Sequence, residues 1–131
     1  MPHLRISDAA AHLGISDDTL RRWIDRGVLT ATHDEAGRLC VDGLEVALAG
    51  RDHFAPVAPA ENHRSSARNR FVGLVTQIKA DTVMAQVELQ CGPHRVVSLM
   101  STEAVQDLGL ELGSVAVATI KSTNVIVEVE E

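Results

Sequence analysis

The chain has 131 residues, 45% of them hydrophobic, and its 12 Lys and Arg face 18 Asp and Glu for a formal charge of −6. This composition excludes extended disorder, and no apolar stretch approaches the roughly 20 residues that span a bilayer. No membrane partner is expected, and the length holds one domain or two very small ones.

The start, MPHLRISDAAAHLG, lacks a charged segment followed by a long apolar core, so it does not read as a secretory signal and a cytoplasmic location is expected. Ser7 precedes DAAAHLG, where Ala9, Ala10 and Leu13 share one helical face and Gly14 can end the helix. ISDDTLRRWIDRG then restarts. Ser16 is a good N-cap, Asp17 and Asp18 suit the positive end of the dipole, and Leu20, Trp23 and Ile24 form an apolar stripe before Gly27. Two short helices joined by a tight glycine-containing turn are a helix-turn-helix arrangement. VLTATHDEAGRLCV next predicts a β-hairpin with its polar tip at 33–38, and VDGLEVALA a short closing helix.

RDHFAPVAPAENHRSS follows, with Pro56 and Pro59 and neither periodicity, and reads as a linker over residues 51–64. Beyond it the pattern is almost wholly strand-like. In TVMAQVELQ, Val83, Ala85, Val87 and Leu89 alternate with polar or flexible neighbours, the signature of a half-buried strand. CGP makes a turn and HRVVSLM returns as the hairpin partner. FVGLVTQIK, SVAVATIK and NVIVEVE add three more strands, and STEAVQDLGLELG a short helix capped by Ser101 or Thr102 and stopped by Gly109. Five strands with one helix between the third and fourth predict a small mainly-β OB-like barrel over residues 65–131.

Chemistry concentrates in two segments of this half. RSSARNR gathers Arg64, Arg68 and Arg70 with Ser65, Ser66 and Asn69 just before the first strand, and IKSTN lies between the last two strands. Neither contains a carboxylate, although the chain as a whole is acidic. Arg68 and Lys121 offer charge while Ser66, Ser122, Thr123 and backbone amides offer neutral donors, a set suited to an anion. Other chemistries find no footing. Cys40 and Cys91 have no Cys or His at ligand spacing, and the six His form no HxH or HxxxH pattern, so ordinary thiols and no metal site are expected. No nucleophile-base-acid set, glycine-rich phosphate loop or paired carboxylates stand in recognisable context, so no enzyme is expected.

Two resemblances sharpen these expectations. LRISDAAAHLGISDDTLRRWIDRGVLTA resembles the winged helix-turn-helix of the MerR and excisionase group, over most of residues 1–50. The resemblance implies DNA as partner, the second helix in the major groove and the 33–38 hairpin as wing. Thr19, Arg21, Arg22 and Arg26 would contact DNA, with Arg38 on the wing; an arginine fork reads guanine edges or grips phosphate. The module nevertheless carries five Arg against eight acidic residues, which predicts weak, salt-sensitive binding by a monomer.

SARNRFVGLVTQIK, AQVEL and LMSTEAVQDLGLELGSVAVATIKSTNVIV together resemble the Mop (molbindin or TOBE) domain, from about Ser65 to Val129. That resemblance implies molybdate or tungstate bound where two subunits meet, hence a homo-oligomer. The implied ligand residues are Ser66, Arg68, Ser101, Lys121 and Ser122; where the family often has a second hydroxyl three positions after Ser101, this chain has Ala104. The combined expectation is a two-domain molybdate-responsive DNA-binding regulator, a small α+β winged helix-turn-helix followed by the barrel. The rival is an oxyanion storage or buffering protein whose helix-turn-helix serves assembly.

Overall fold

The computed structural model describes residues 2–54 and 63–130, and the chain divides into two compact units, Met1–Val57 and Ala58–Glu131. Most of the expected linker, residues 55–62, lies outside the described residues.

The first unit opens with a strand that periodicity did not predict. β1 (His3–Arg5) pairs antiparallel with β3 (Leu39–Asp42), which also pairs with β2 (Ala31–His33), giving the order β1-β3-β2. Because β1 runs directly into α1 (Ile6–Leu13), that helix begins before Ser7: Arg5 stands at the N-cap, with no side-chain cap bond. Ser7 therefore is not the cap. Gly14 ends α1 in the left-handed conformation, φ 69°, as glycine without a Cβ does at low cost. α2 (Asp17–Asp25) starts as expected, Ser16 Oγ accepting the Thr19 N–H at 3.1 Å. α3 (Gly43–His53) is capped by Asp42, which accepts from Glu45 N–H at 3.1 Å, and it runs on into the stretch read as linker. Ile6, Ala9, Ala10, Leu20, Trp23, Leu29, Val41 and Val46 form this unit's core. Leu20 and Val41 are fully buried, and burial of such side chains stabilises by roughly 1.5–3 kcal/mol each.

The second unit is a four-stranded antiparallel sheet, ordered β6-β5-β4-β7. Its strands are β4 (Asn69–Ala80), β5 (Met84–Cys91), β6 (His94–Ser101) and β7 (Val115–Ile120). Along β5, Ala85, Val87, Leu89 and Cys91 are buried, as the alternation required. The two-residue turn Gly92–Pro93 carries φ 59° at Gly92, the positive value that the first position of a hairpin turn demands. β4 slips register between Val75 and Gln77, a bulge that bends a long strand. At Gly73 it runs so close to β5 that a Cβ would lie 2.5 Å from both Gln90 O and Cys91 Sγ. Ser101 caps α4 (Thr102–Asp107), accepting from Ala104 N–H at 3.0 Å, and Val105 of that helix joins the core of Val75, Ala85, Val87, Leu89 and Cys91.

The fifth expected strand, NVIVEVE, does not form within the described chain. After β7 comes one 3₁₀ turn, Ser122–Asn124, and residues 125–130 take no place in the sheet. Their apolar side chains are exposed, Ile126 84% and both Val127 and Val129 86%. Alternation records that a segment suits a sheet but not where its partner lies, and a strand exists only once paired. β6 and β7 are both left as open edges, so the sheet is curled rather than closed into a five-stranded barrel. Between these edges runs an apolar groove of about 690 Å³, lined by residues 96–100 and 115–120 with Leu108 and Leu110.

Candidate functional site

The β4–β7 ladder brings the two donor-rich segments together. Asn69 pairs with Ile120 at its very end, so the chain enters through Ser66 and Arg68 and leaves through Lys121 and Ser122 at the same corner. The Asn69 amide reinforces the join by donating to Ile120 O at 3.1 Å. On the approach, Ser65 Oγ accepts the Ala67 N–H at 3.0 Å, a local turn of the kind serine favours, and Arg68 Nη1 donates to Ser65 O at 3.3 Å. Ser66, Arg68, Lys121 and Ser122 are all exposed, and among the described residues neither cation makes an ion pair. Two cations without carboxylate partners, flanked by hydroxyls, leave their donors available to an anion.

Ser101 is elsewhere. It pairs with Met84 at the end of β6, beside the Ala80 end of β4, whereas the corner stands at Asn69. The twelve residues of β4 separate the two places along the sheet. Its Oγ serves as helix cap through a lone pair, which leaves the hydroxyl proton free to donate. Arg95, a cation outside both motifs, is ion-paired to Glu88. The hydrogen bond from Arg95 is the main cause that holds the Glu88 carboxyl below its ordinary range, and the same bond raises the Arg95 guanidinium.

In the first unit Thr19, Arg21, Arg22 and Arg26 all lie on or at the end of α2, and Thr19, Arg22 and Arg26 stand beside Trp23. The three arginines are exposed and, among the described residues, form no ion pair. Arg38 differs. Its Nε donates to Asp34 Oδ2 at 3.0 Å, while Asp34 Oδ1 accepts the N–H groups of Ala36 and Arg38, each at 2.9 Å. The Arg38 backbone donor is the leading cause that keeps the Asp34 carboxyl below its ordinary value. Arg38 is thus already half-engaged by its own turn.

The sequence names Asn69 among the gathered donors but not its part in locking the corner, and His53 was missed altogether. His53 packs its ring against Trp23, centroids 5.1 Å apart at 61°, and nothing in a Pro/Ala-rich stretch announced it. Among the described residues no group of three or more His, Cys, Asp or Glu could hold a metal ion, and no helix is long and apolar enough to cross a membrane.

Comparison with known proteins divides along the same line as the fold. A family model described as the TOBE domain matches residues 65–127, and one described as MerR HTH family regulatory protein matches residues 4–39. Molybdenum-pterin-binding protein 3 of Clostridium pasteurianum is 40% identical over 63 residues, 47% of this chain and 93% of that protein. Molybdenum transport protein ModE of Herbaspirillum seropedicae is 39% identical over 64 residues, 48% of this chain but 24% of that one. Among solved structures, the cytoplasmic molybdate-binding protein ModG with molybdate bound is similar at 39% identity and a TM-score of 0.49, over 52% of this chain and 49% of that one.

Proposed function

This chain belongs, through its TOBE domain, to the family of the molybdenum-pterin-binding proteins, and on that premise we propose that it is a molybdate-responsive DNA-binding regulator. The single observation that supports the anion reading most is the pairing of Asn69 with Ile120, which puts Arg68 and Lys121 at one corner with no carboxylate between them. Molybdate is a tetrahedral dianion. Arg68 and Lys121 supply its countercharge, Ser66 and Ser122 its neutral donors, and tungstate fits the same chemistry.

A single subunit leaves this site incomplete, because Ser101 stands at the far end of β4. The missing donor comes from a second copy, so the site is built at a subunit interface. The exposed segment 125–130 and the apolar groove between β6 and β7 support the same arrangement. The tail of one subunit becomes the fifth strand of its partner's barrel, burying Ile126, Val127 and Val129 for roughly 1.5–3 kcal/mol each. The chain is then an obligate homo-oligomer through residues 65–131, acting in the cytoplasm, where the two free buried thiols stay reduced.

Residues 1–50 are the winged helix-turn-helix that reads DNA, α2 lying in the major groove with Thr19, Arg21, Arg22 and Arg26 toward it. Oligomerisation compensates for weak binding by a single acidic module through avidity, since linked copies engage one duplex together. Molybdate acts by favouring one placement of the paired modules over another, and it does so only as far as the two placements differ in affinity for it. The storage reading draws on one observation, the engagement of Arg38 by Asp34 in an already acidic module. Unbiased selection of duplexes by the full chain, with and without molybdate, separates the two. A regulator enriches one sequence and shifts its affinity by about 5- to 150-fold with molybdate; a storage protein enriches none.

A further inference from the structure

A second polar hollow, of about 400 Å³, lies on the first unit. Ser16, Thr19, Arg22 and Arg26 line it from α2 and its cap, with Trp23 and His53 as aromatic walls, and among the described residues no carboxylate lines it. Asp17, Asp18 and Asp25, which give α2 its acidic character, are absent from this face. His53 is the last residue of α3, a position that favours a cation. Its ring is held between Trp23, 5.1 Å away, and Phe54, 4.7 Å away at 85°. The charged groups nearest it on its own helix, Arg51 and Asp52, are paired with each other. Of the two hydroxyls, Ser16 Oγ and Thr19 Oγ1 share one hydrogen bond at 2.9 Å, which leaves the other hydroxyl proton to point outward.

We propose that this hollow seats one phosphodiester of the DNA backbone, gripped by Arg22 and Arg26 and by His53 in its protonated form, so that DNA binding strengthens as pH falls. The inference rests on the DNA-binding reading above and changes it in one respect. Arg22 and Arg26 position the duplex, and the reading of bases is left to Arg21. An imidazole changes charge between about pH 5 and 8. A phosphate oxygen within reach of the imidazole favours its charged form. Proton uptake and phosphate binding therefore favour each other.

The full chain supplies its own reporter, because Trp23 is the only tryptophan and touches the imidazole edge. Anisotropy of a labelled random-sequence duplex, at fixed ionic strength from pH 5.5 to 8, compares the chain with its H53Q and H12Q variants, both at exposed positions. The unaltered chain gains about tenfold in affinity on acidification, the gain of one charge-assisted hydrogen bond. H53Q gains little on acidification, whereas H12Q keeps the gain. The midpoint of Trp23 fluorescence against pH moves upward when duplex is added, and H53Q abolishes the movement. Equal gains in the unaltered chain and H53Q overturn the seat while DNA binding stands. Absence of duplex binding at every pH overturns both readings. Saturation of the Trp23 signal by micromolar inorganic phosphate, with no response to duplex, overturns the DNA assignment in favour of a free oxyanion.

Discussion

Arg68 and Lys121 stand on opposite sides of one strand pair, 53 positions apart in the chain, and the register of β4 on β7 makes them neighbours. Loss of either leaves a dianion short of one charge-assisted hydrogen bond. Arg68→Ala or Lys121→Ala therefore weakens molybdate binding by about 1.5–3 kcal/mol in calorimetric titration. Arg95→Ala leaves it unchanged, because Arg95 is engaged by Glu88. Gly73 is a residue whose meaning only the fold reveals. A methyl group there would strike Gln90 O and Cys91 Sγ, and Gly73→Ala is expected to lower the stability of the second unit by roughly 1–3 kcal/mol in denaturant melts. Asp34 carries the pH dependence of the turn that it holds at Ala36 and Arg38. Its folded-state carboxyl titrates below its ordinary value, so its contribution is present above about pH 4 and is lost as pH falls through the depressed value. Amide exchange at Ala36 and Arg38 should accordingly be unchanged from pH 8 to 5, after correction for intrinsic rates, and lose protection on further acidification. Asp34→Ala removes that protection at every pH.

At the level of elements, most of the architecture was legible because it is local. The Ser16 cap, the Leu20–Trp23 stripe, the alternation of 85–91 and the Gly92–Pro93 turn are set by neighbours a few residues apart. What escaped depended on distant partners. β1 has only three residues and exists because β3 lies beside it, which moved the start of α1 ahead of Ser7. The tail 125–130 has the composition of a strand and joins neither open edge of its own sheet. The site was legible in part, for the same reason. SARN and IKST announce donors by composition, while the separation of Ser101 from them is a property of the sheet. The tail yields the prediction that belongs to this scale. Deleting residues 125–131, or replacing Val127 by Asp, should convert the oligomer into a monomer in sedimentation velocity at micromolar concentration. An oligomer unchanged by both alterations would mean that the tail is not the exchanged strand.

For the molecule as a whole, an acidic chain of −6 sets exposed cations that lack ion-pair partners among the described residues in two places, one in each unit. On the proposed function the corner at Asn69 and Ile120 holds molybdate and is completed by a neighbouring subunit. Crystals of the full chain grown with molybdate are the test, since molybdenum identifies itself by anomalous scattering at its absorption edge. A peak is expected within hydrogen-bonding distance of Arg68 and Lys121 of one subunit and of the partner's Ser101. A peak confined to the Arg22–Arg26–His53 hollow, or a corner left without anomalous signal in an oligomer otherwise saturated with molybdate, would contradict that reading.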